Sequence, residues 1–186
     1  MKLVIGLTGR MGSGKTSVSK YLSRKYGASE MRFSQILMDI LDRLYLEHRR
    51  ENLQKLGECV RKALGMDVIV NAFENDLRNE DSDIIVVDGI RYKNEVDMLR
   101  RFRDNVLIFI DAPARLRYER CRKRGEKGES SINFKEFLMA EKRETERYID
   151  EIGEVADYRI ENIGTLEDLY QKVDEIMEKI LKNEED

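Results

Sequence analysis

The stretch "GLTGRMGSGKTSVSKYL", Gly6 to Leu22, constrains this chain more than any other part of it. It holds four glycines, and three of them, with a lysine, separate a short apolar run, "KLVIGLT", from an amphipathic stretch that opens on a threonine. The apolar run predicts a strand over Lys2 to Thr8, apolar on both faces and so covered on both. "TSVSKYLSRKYG" predicts a helix, with Val18, Tyr21, Leu22 and Tyr26 at helical spacing and Gly27 as its stop. A strand that turns on glycines into a helix is the start of an α/β unit.

The rest of the chain continues that alternation. "ASEMRF" predicts a second strand. A long helical region follows, with three apolar stripes: Leu37, Ile40, Leu41 and Leu44; then Leu53, Leu56, Val60 and Leu64; then Ile69, Phe73 and Leu77. Gly65 separates the second stripe from the third. "DIIVVD" and "NVLIFIDA" are continuous apolar runs of the kind found in buried parallel strands. Between them "YKNEVDMLRRFRD" predicts a helix, and "PARLRYERCRKRG" predicts another, opened by the only proline. "GEKGESSIN" is polar and predicts a loop, "FKEFLMAEKRETERYIDEI" a single helix, and "ADYRIEN" a last strand. The closing helix carries Leu166, Leu169, Val173, Ile176 and Ile180 on one face. Strands alternating with helices predict one α/β domain with a five-stranded parallel sheet and helices on both faces, in three layers. Met31, Met38, Met66 and Met98 fit core filling, and His48 reads as exposed and structural.

The glycine turn also has a chemistry. "GRMGSGKT", Gly9 to Thr16, fits G-x-x-x-x-G-K-[ST], with the strand before it and the helix after it that the pattern requires. Nucleotide phosphates carry several negative charges, and successive backbone N–H groups converge on them only where no Cβ intrudes; Gly9, Gly12 and Gly14 provide that. The helix dipole starting near Lys15 points its positive end at the same place. Lys15 is expected to reach the β- and γ-phosphates of ATP, and the Thr16 hydroxyl to bind Mg²⁺. Met11, Ser13 and Ser17 complete the expected nucleotide contacts. Asp88 ends "IIVVD", so a parallel strand delivers its carboxylate to the ligand edge of the sheet, as a second group for the metal.

Composition limits the partners. Lys and Arg number 34 against 37 Asp and Glu, a net charge of −3, which points away from nucleic acid and membrane surfaces. No apolar run approaches the roughly 18–20 residues of a membrane span. Cys59 and Cys121 lie far apart without paired spacing, which fits reduced thiols in a cytoplasmic protein.

Beyond the loop, several segments carry a family resemblance. "VVDGIRYKNEV" resembles the D-x-R-x-x-N-E segment of phage-type deoxynucleoside monophosphate kinases, and "LQKLGECVRKALGMD" resembles another stretch of the same kinases. "APARLRYERCRKRG" resembles the lid entry of nucleoside monophosphate kinases and dephospho-CoA kinases. "ADYRIENIGTLEDLYQKV" is similar to the C-terminal end of dephospho-CoA kinases and of their archaeal relatives. The resemblance implies a P-loop kinase fold with a core of residues 1–33, 83–121 and 155–186, an acceptor-binding helical region over 34–80 and a lid over 122–133. It implies that Arg120 packs on the adenine, that Arg124 approaches the transferring phosphate and that Asn162 and Gly164 lie beside the base. It also implies that Arg61 and Arg91 face the acceptor; independently, an Arg fork suits a dianionic phosphate.

One departure bears on the acceptor. Dephospho-CoA kinases carry an acidic residue just after the second strand, where it can take the proton of a ribose hydroxyl. Here that place reads "RFSQILMD", with Ser34 at the strand end on the acceptor side and Asp39 a helical turn or more later. A phosphate acceptor needs no such base, because its attacking oxygen is already ionised. The expectation is therefore transfer from ATP to a nucleoside or deoxynucleoside monophosphate, a small-molecule acceptor. The alternatives are a dephospho-CoA kinase and a nucleotide-dependent switch that binds without efficient transfer.

Overall fold

The structure, a computed structural model, describes residues 2–124, 133–142 and 146–182. β1 (Leu3–Thr8), β2 (Ser29–Met31), β3 (Ile84–Asp88), β4 (Asp104–Asp111) and β5 (Tyr158–Glu161) form one parallel sheet in the order β2-β3-β1-β4-β5. The sheet is five-stranded with helices on both faces, as the alternation predicts. Alternation along β1 divides the core. Leu3, Ile5 and Leu7 face the layer of α1 (Lys15–Tyr26) and α9 (Leu166–Lys182), while Val4 faces the opposite layer. Gly6 also belongs to that second side, where a Cβ would lie 2.5 Å from Ile90 and 2.7 Å from Leu99.

Between β2 and β3 come α2 (Ser34–Arg43), α3 (Arg50–Leu64) and α4 (Val68–Asn79), the predicted helical region. Gly65 ends α3 at φ 109, a backbone conformation that a side chain would strain. The three stripes are buried unequally. Ile69, Phe73 and Leu77 are buried in α4, Leu37 and Leu41 in α2, but Leu53, Leu56 and Val60 only half-buried in α3. Leu44 and Leu64, at the ends of their helices, are exposed, and so is Met66, which therefore does not fill the core. Phe33 packs against Phe73 at 4.1 Å between ring centroids, the rings tilted by 35°, and joins the start of α2 to α4.

Other elements differ in extent from their sequence expectation. Ser34 begins α2 and does not sit at the end of β2, which stops at Met31. α5 (Lys93–Leu99) ends well before Asp104, because the chain turns at Phe102 to enter β4. Pro113 lies just outside α6 (Ala114–Arg124), its carbonyl accepting the first helical bond from Arg117 N–H. The expected single helix after the lid is two among the described residues, α7 (Phe134–Ala140) and α8 (Ile149–Glu154). Glu141 and Glu146, in the turns beside the break, reach away to arginines of other elements, Arg117 and Arg91. The polar stretch expected to close as a lid, Glu126 to Ser130, lies outside the described residues. Cys59 is exposed and Cys121 is buried, and neither is in a disulfide; His48 is exposed and its ring pairs with Asp42.

Phe73 is 1% exposed and anchors the helical layer. Phe73→Ala is expected to lower unfolding stability by about 3–5 kcal/mol through lost burial and the cavity left behind. Urea denaturation checks this; a loss under about 1 kcal/mol would show that the layer is not fastened there.

Candidate active site

The loop from Gly9 to Gly14 closes between three other chain segments. A Cβ at Gly9 (φ 144) would lie 2.2 Å from the Ile110 carbonyl oxygen, at the end of β4. One at Gly12 (φ 79) would lie 2.6 Å from the Arg117 carbonyl oxygen, in α6. One at Gly14 (φ 111) would lie 2.4 Å from the Asn162 amide nitrogen, beyond β5. Positive φ and close approach coincide at all three glycines, so the loop needs them for its shape as well as for phosphate access.

Lys15 opens α1, and its ammonium folds back over the loop to donate to the carbonyls of Gly9 at 2.5 Å and Arg10 at 3.1 Å. Burial first, and the nearby Arg91 second, push its pKa down to about 8. An anion placed between these two cations would relieve both effects. The Thr16 hydroxyl donates to an Asp88 carboxylate oxygen at 3.2 Å, so the two groups expected to hold the metal meet across the ends of α1 and β3. A hydroxyl and a carboxylate are hard oxygen donors that fit Mg²⁺, which is usually held by few protein ligands together with substrate phosphates. Among the described residues no cluster of three or more His, Cys, Asp or Glu forms a fuller metal cage.

The register delivers Asp88 to this point, since Leu7 in β1 pairs with Asp88 in β3. The chain after Asp88 is then pinned. Gly89 and Ile90 N–H both donate to the Leu7 carbonyl, at 3.1 and 2.9 Å, and the buried Thr8 hydroxyl donates to the Ile90 carbonyl at 2.9 Å. Arg91 follows directly, half-buried in the same cleft. The cleft encloses about 1170 Å³ at the carboxyl edge of the sheet, where open α/β sheets bind ligands.

Most of the predicted site residues line this cleft. On the loop side they are Met11, Gly12, Gly14, Lys15, Thr16 and Ser17. Arg120 and Arg124, one turn apart on α6, line it together with Asn162 and Gly164 beyond β5. Ser34, Arg61, Asp88 and Arg91 line the opposite part. Gly9 and Ser13 do not. Gly9 is buried at the start of the loop; Ser13 is fully buried, its hydroxyl has no hydrogen-bond partner among the described residues, and its N–H donates to the Arg10 carbonyl. Asn162 does more than border the cleft. It is 6% exposed, and its amide donates to the Ser13 carbonyl at 2.8 Å while its side-chain oxygen accepts from Arg120 at 3.4 Å. Burial lowers the pKa of Arg120 from its ordinary value. The Arg61 guanidinium lies over the Tyr92 ring, 4.8 Å from its centroid.

Sequence reasoning passed over four residues here. Arg117 is 4% exposed and donates to the carbonyls of Ala112 and Met11 and to Glu141, tying α6, the loop and the end of α7 together. Arg10 forks onto Asp150 at 2.7 and 3.2 Å, tying the loop to α8. Glu95 is buried in the cleft wall, where its carboxylate accepts from Arg91 and Tyr92 N–H and caps α5. Burial raises its pKa to about 7, against the downward pull of those N–H groups and of Arg91 and Arg61. Glu146 is buried against Arg91. The E three residues after Tyr92 was a readable capping signal; the partners of Arg117, Arg10 and Glu146 lie too far along the chain for spacing to reveal them.

Asn162→Ala leaves the Ser13 carbonyl without its side-chain donor. The expected loss is about 1–3 kcal/mol in stability, with weaker ATP binding as the loop loosens. Thermal unfolding and ATP titration read the two effects; unchanged ATP affinity in a destabilised variant would limit Asn162 to the fold.

Comparison with known proteins agrees with this geometry. The sequence matches the AAA domain family over residues 5–149. It is 30% identical to a UPF0200 protein of Staphylothermus marinus, over 100% of this chain and 98% of the relative. It is 32% identical to a UPF0200/UPF0201 protein of Archaeoglobus fulgidus, covering 98% of this chain but 57% of that longer relative. In fold it is similar to TT1252 from Thermus thermophilus, with a TM-score of 0.63 and 22% identity over 96% of this chain and 97% of that one. It is similar also to shikimate kinase from Bacteroides thetaiotaomicron, with a TM-score of 0.63 and 14% identity over 95% and 98%. The chain belongs to the AAA domain family and to the UPF0200 proteins, and it shares its fold with TT1252 and with shikimate kinase.

Proposed function

We propose that the chain transfers the γ-phosphate of ATP to a nucleoside or deoxynucleoside monophosphate. The observation that carries this reading is the convergence of Lys15 and Arg91 on one cleft, close enough for the Arg91 charge to act on Lys15. Two cations held together by the backbone make sense with phosphates between them. Donor phosphates lie over the loop N–H groups in this reading, and the acceptor phosphate lies at Arg91, with Arg61 behind it. Mg²⁺ at Thr16 and Asp88 would supply charge neutralisation on the β- and γ-phosphates. Lys15 leaves the Gly9 and Arg10 carbonyls for the phosphates, and Arg124, at the end of α6, approaches from the lid side. The lid over 122–133 excludes water, so that transfer prevails over hydrolysis. Residues 34–80 shape the acceptor side, and the absence of an acid at Ser34 suits an acceptor that is already ionised.

A dephospho-CoA-like hydroxyl acceptor is the second reading. Glu95 favours it: a cleft carboxyl with a pKa near 7 is suited to take a hydroxyl proton.

An ADP-release assay against a panel of monophosphates and dephospho-CoA separates these readings, and silence across the panel would favour a binding switch. Once an acceptor is found, Arg91→Ala is expected to raise its KM at least tenfold with the KM for ATP little changed, and Arg91→Lys is not expected to rescue. A raised KM for ATP instead would place Arg91 on the donor side.

A further inference from the structure

The arginine assigned above to the acceptor phosphate already holds an anion. Glu146 is 6% exposed, lines the cleft and ion-pairs through one carboxylate oxygen with Arg91. Its other oxygen is buried with no hydrogen-bond partner among the described residues. A buried carboxylate with one satisfied oxygen is a costly arrangement for a purely structural pair. Its charge also acts on Lys15 and Arg10, so it stands within the field of the phosphate loop.

A dianionic phosphate on Arg91 and an ionised Glu146 beside it repel each other in a site shielded from water. The two anions therefore compete for one guanidinium. Glu146 has a place to go, because it lies in the turn before α8 and not inside that helix. α8 keeps its own ties when that turn moves: Arg10 forks onto Asp150, and Lys93 pairs with Glu151 at 2.6 Å.

We propose that Glu146 is a specificity-determining residue, whose carboxylate fills the acceptor-phosphate subsite on Arg91 until a terminal phosphate dianion displaces it. This rests on the monophosphate-acceptor reading. A dianion outcompetes the carboxylate, whereas a singly charged acceptor gains little over what Arg91 already has. The built-in anion thus raises the charge an acceptor must bring.

The test is calorimetric titration of methyl phosphate and of acetate, with Mg²⁺ and a non-hydrolysable ATP analogue occupying the loop. Glu146→Gln is expected to bind methyl phosphate about tenfold tighter than the parent and to acquire measurable acetate binding. The double variant Glu146→Gln with Arg91→Ala is expected to lose that gain. Glu146→Ser serves as a second probe should Gln perturb folding, which melting temperature reports. Unchanged or weaker methyl phosphate binding in both single variants would overturn the proposal, and weaker binding would make Glu146 a direct ligand of the acceptor. Should no monophosphate be phosphorylated while Glu146→Gln still gains phosphate affinity, the proposed function falls and the subsite stands. Phosphorylation of a monophosphate without that gain removes the subsite inference alone.

Discussion

The turn between β1 and α1 is wedged between the ends of β4, α6 and β5, and the site depends on that wedge. Gly9, Gly12 and Gly14 each meet a different neighbouring segment at a distance that admits no Cβ. Asn162 holds the Ser13 carbonyl from one side, and Arg117 holds the Met11 carbonyl from the other. The loop therefore keeps its shape through groups brought from distant parts of the chain, and its N–H groups need little further ordering before phosphates arrive. The register of β1 with β3 adds Asp88 beside Thr16 in the same stroke.

Charge in the cleft is organised by pairing. Arg10, Arg91 and Arg117 each meet a carboxylate from the region of α7 and α8, namely Asp150, Glu146 and Glu141. The exposed pair, Arg10 with Asp150, adds little stability; the two enclosed pairs cost desolvation and are better explained by positioning. Lys15 stands apart. Its partners are neutral carbonyls, and burial together with the nearby Arg91 pushes its pKa down. Phosphates would complete that environment.

The fold was legible in the sequence wherever one residue type answers to one physical demand. "IIVVD" and "VLIFID" can only be strands covered on both faces, and they are β3 and most of β4. Val173, Ile176 and Ile180 are buried on α9 as their spacing demands, with Gly27 closing α1 in the left-handed region. Legibility ended where long-range partners override a local pattern. The residues from Phe134 to Ile152 read as one helix, yet Glu141 and Glu146 pair with arginines 24 and 55 residues away, and the described residues form two helices, α7 and α8. Helix-end leucines such as Leu44 and Leu64 continue a stripe that has run out of neighbours. In the site, the glycines, Lys15, Thr16 and Asp88 were readable from motif and strand end. Glu95, Glu146, Arg10 and Arg117 were not singled out, because charged residues are abundant in this chain, and what sets these apart is burial for Glu95, Glu146 and Arg117 and a distant carboxylate partner for Arg10.

The central claim is that one cleft holds two phosphate sites, with Lys15 on the donor side and Arg91 on the acceptor side. The most direct measurement is the affinity of a dinucleoside polyphosphate long enough to span both, compared with that of ATP. The account predicts binding on the order of a hundredfold tighter than ATP, because the second half binds at high effective concentration, with that advantage lost in Arg91→Ala. Equal affinity for the two ligands, unchanged by Arg91→Ala, would contradict it.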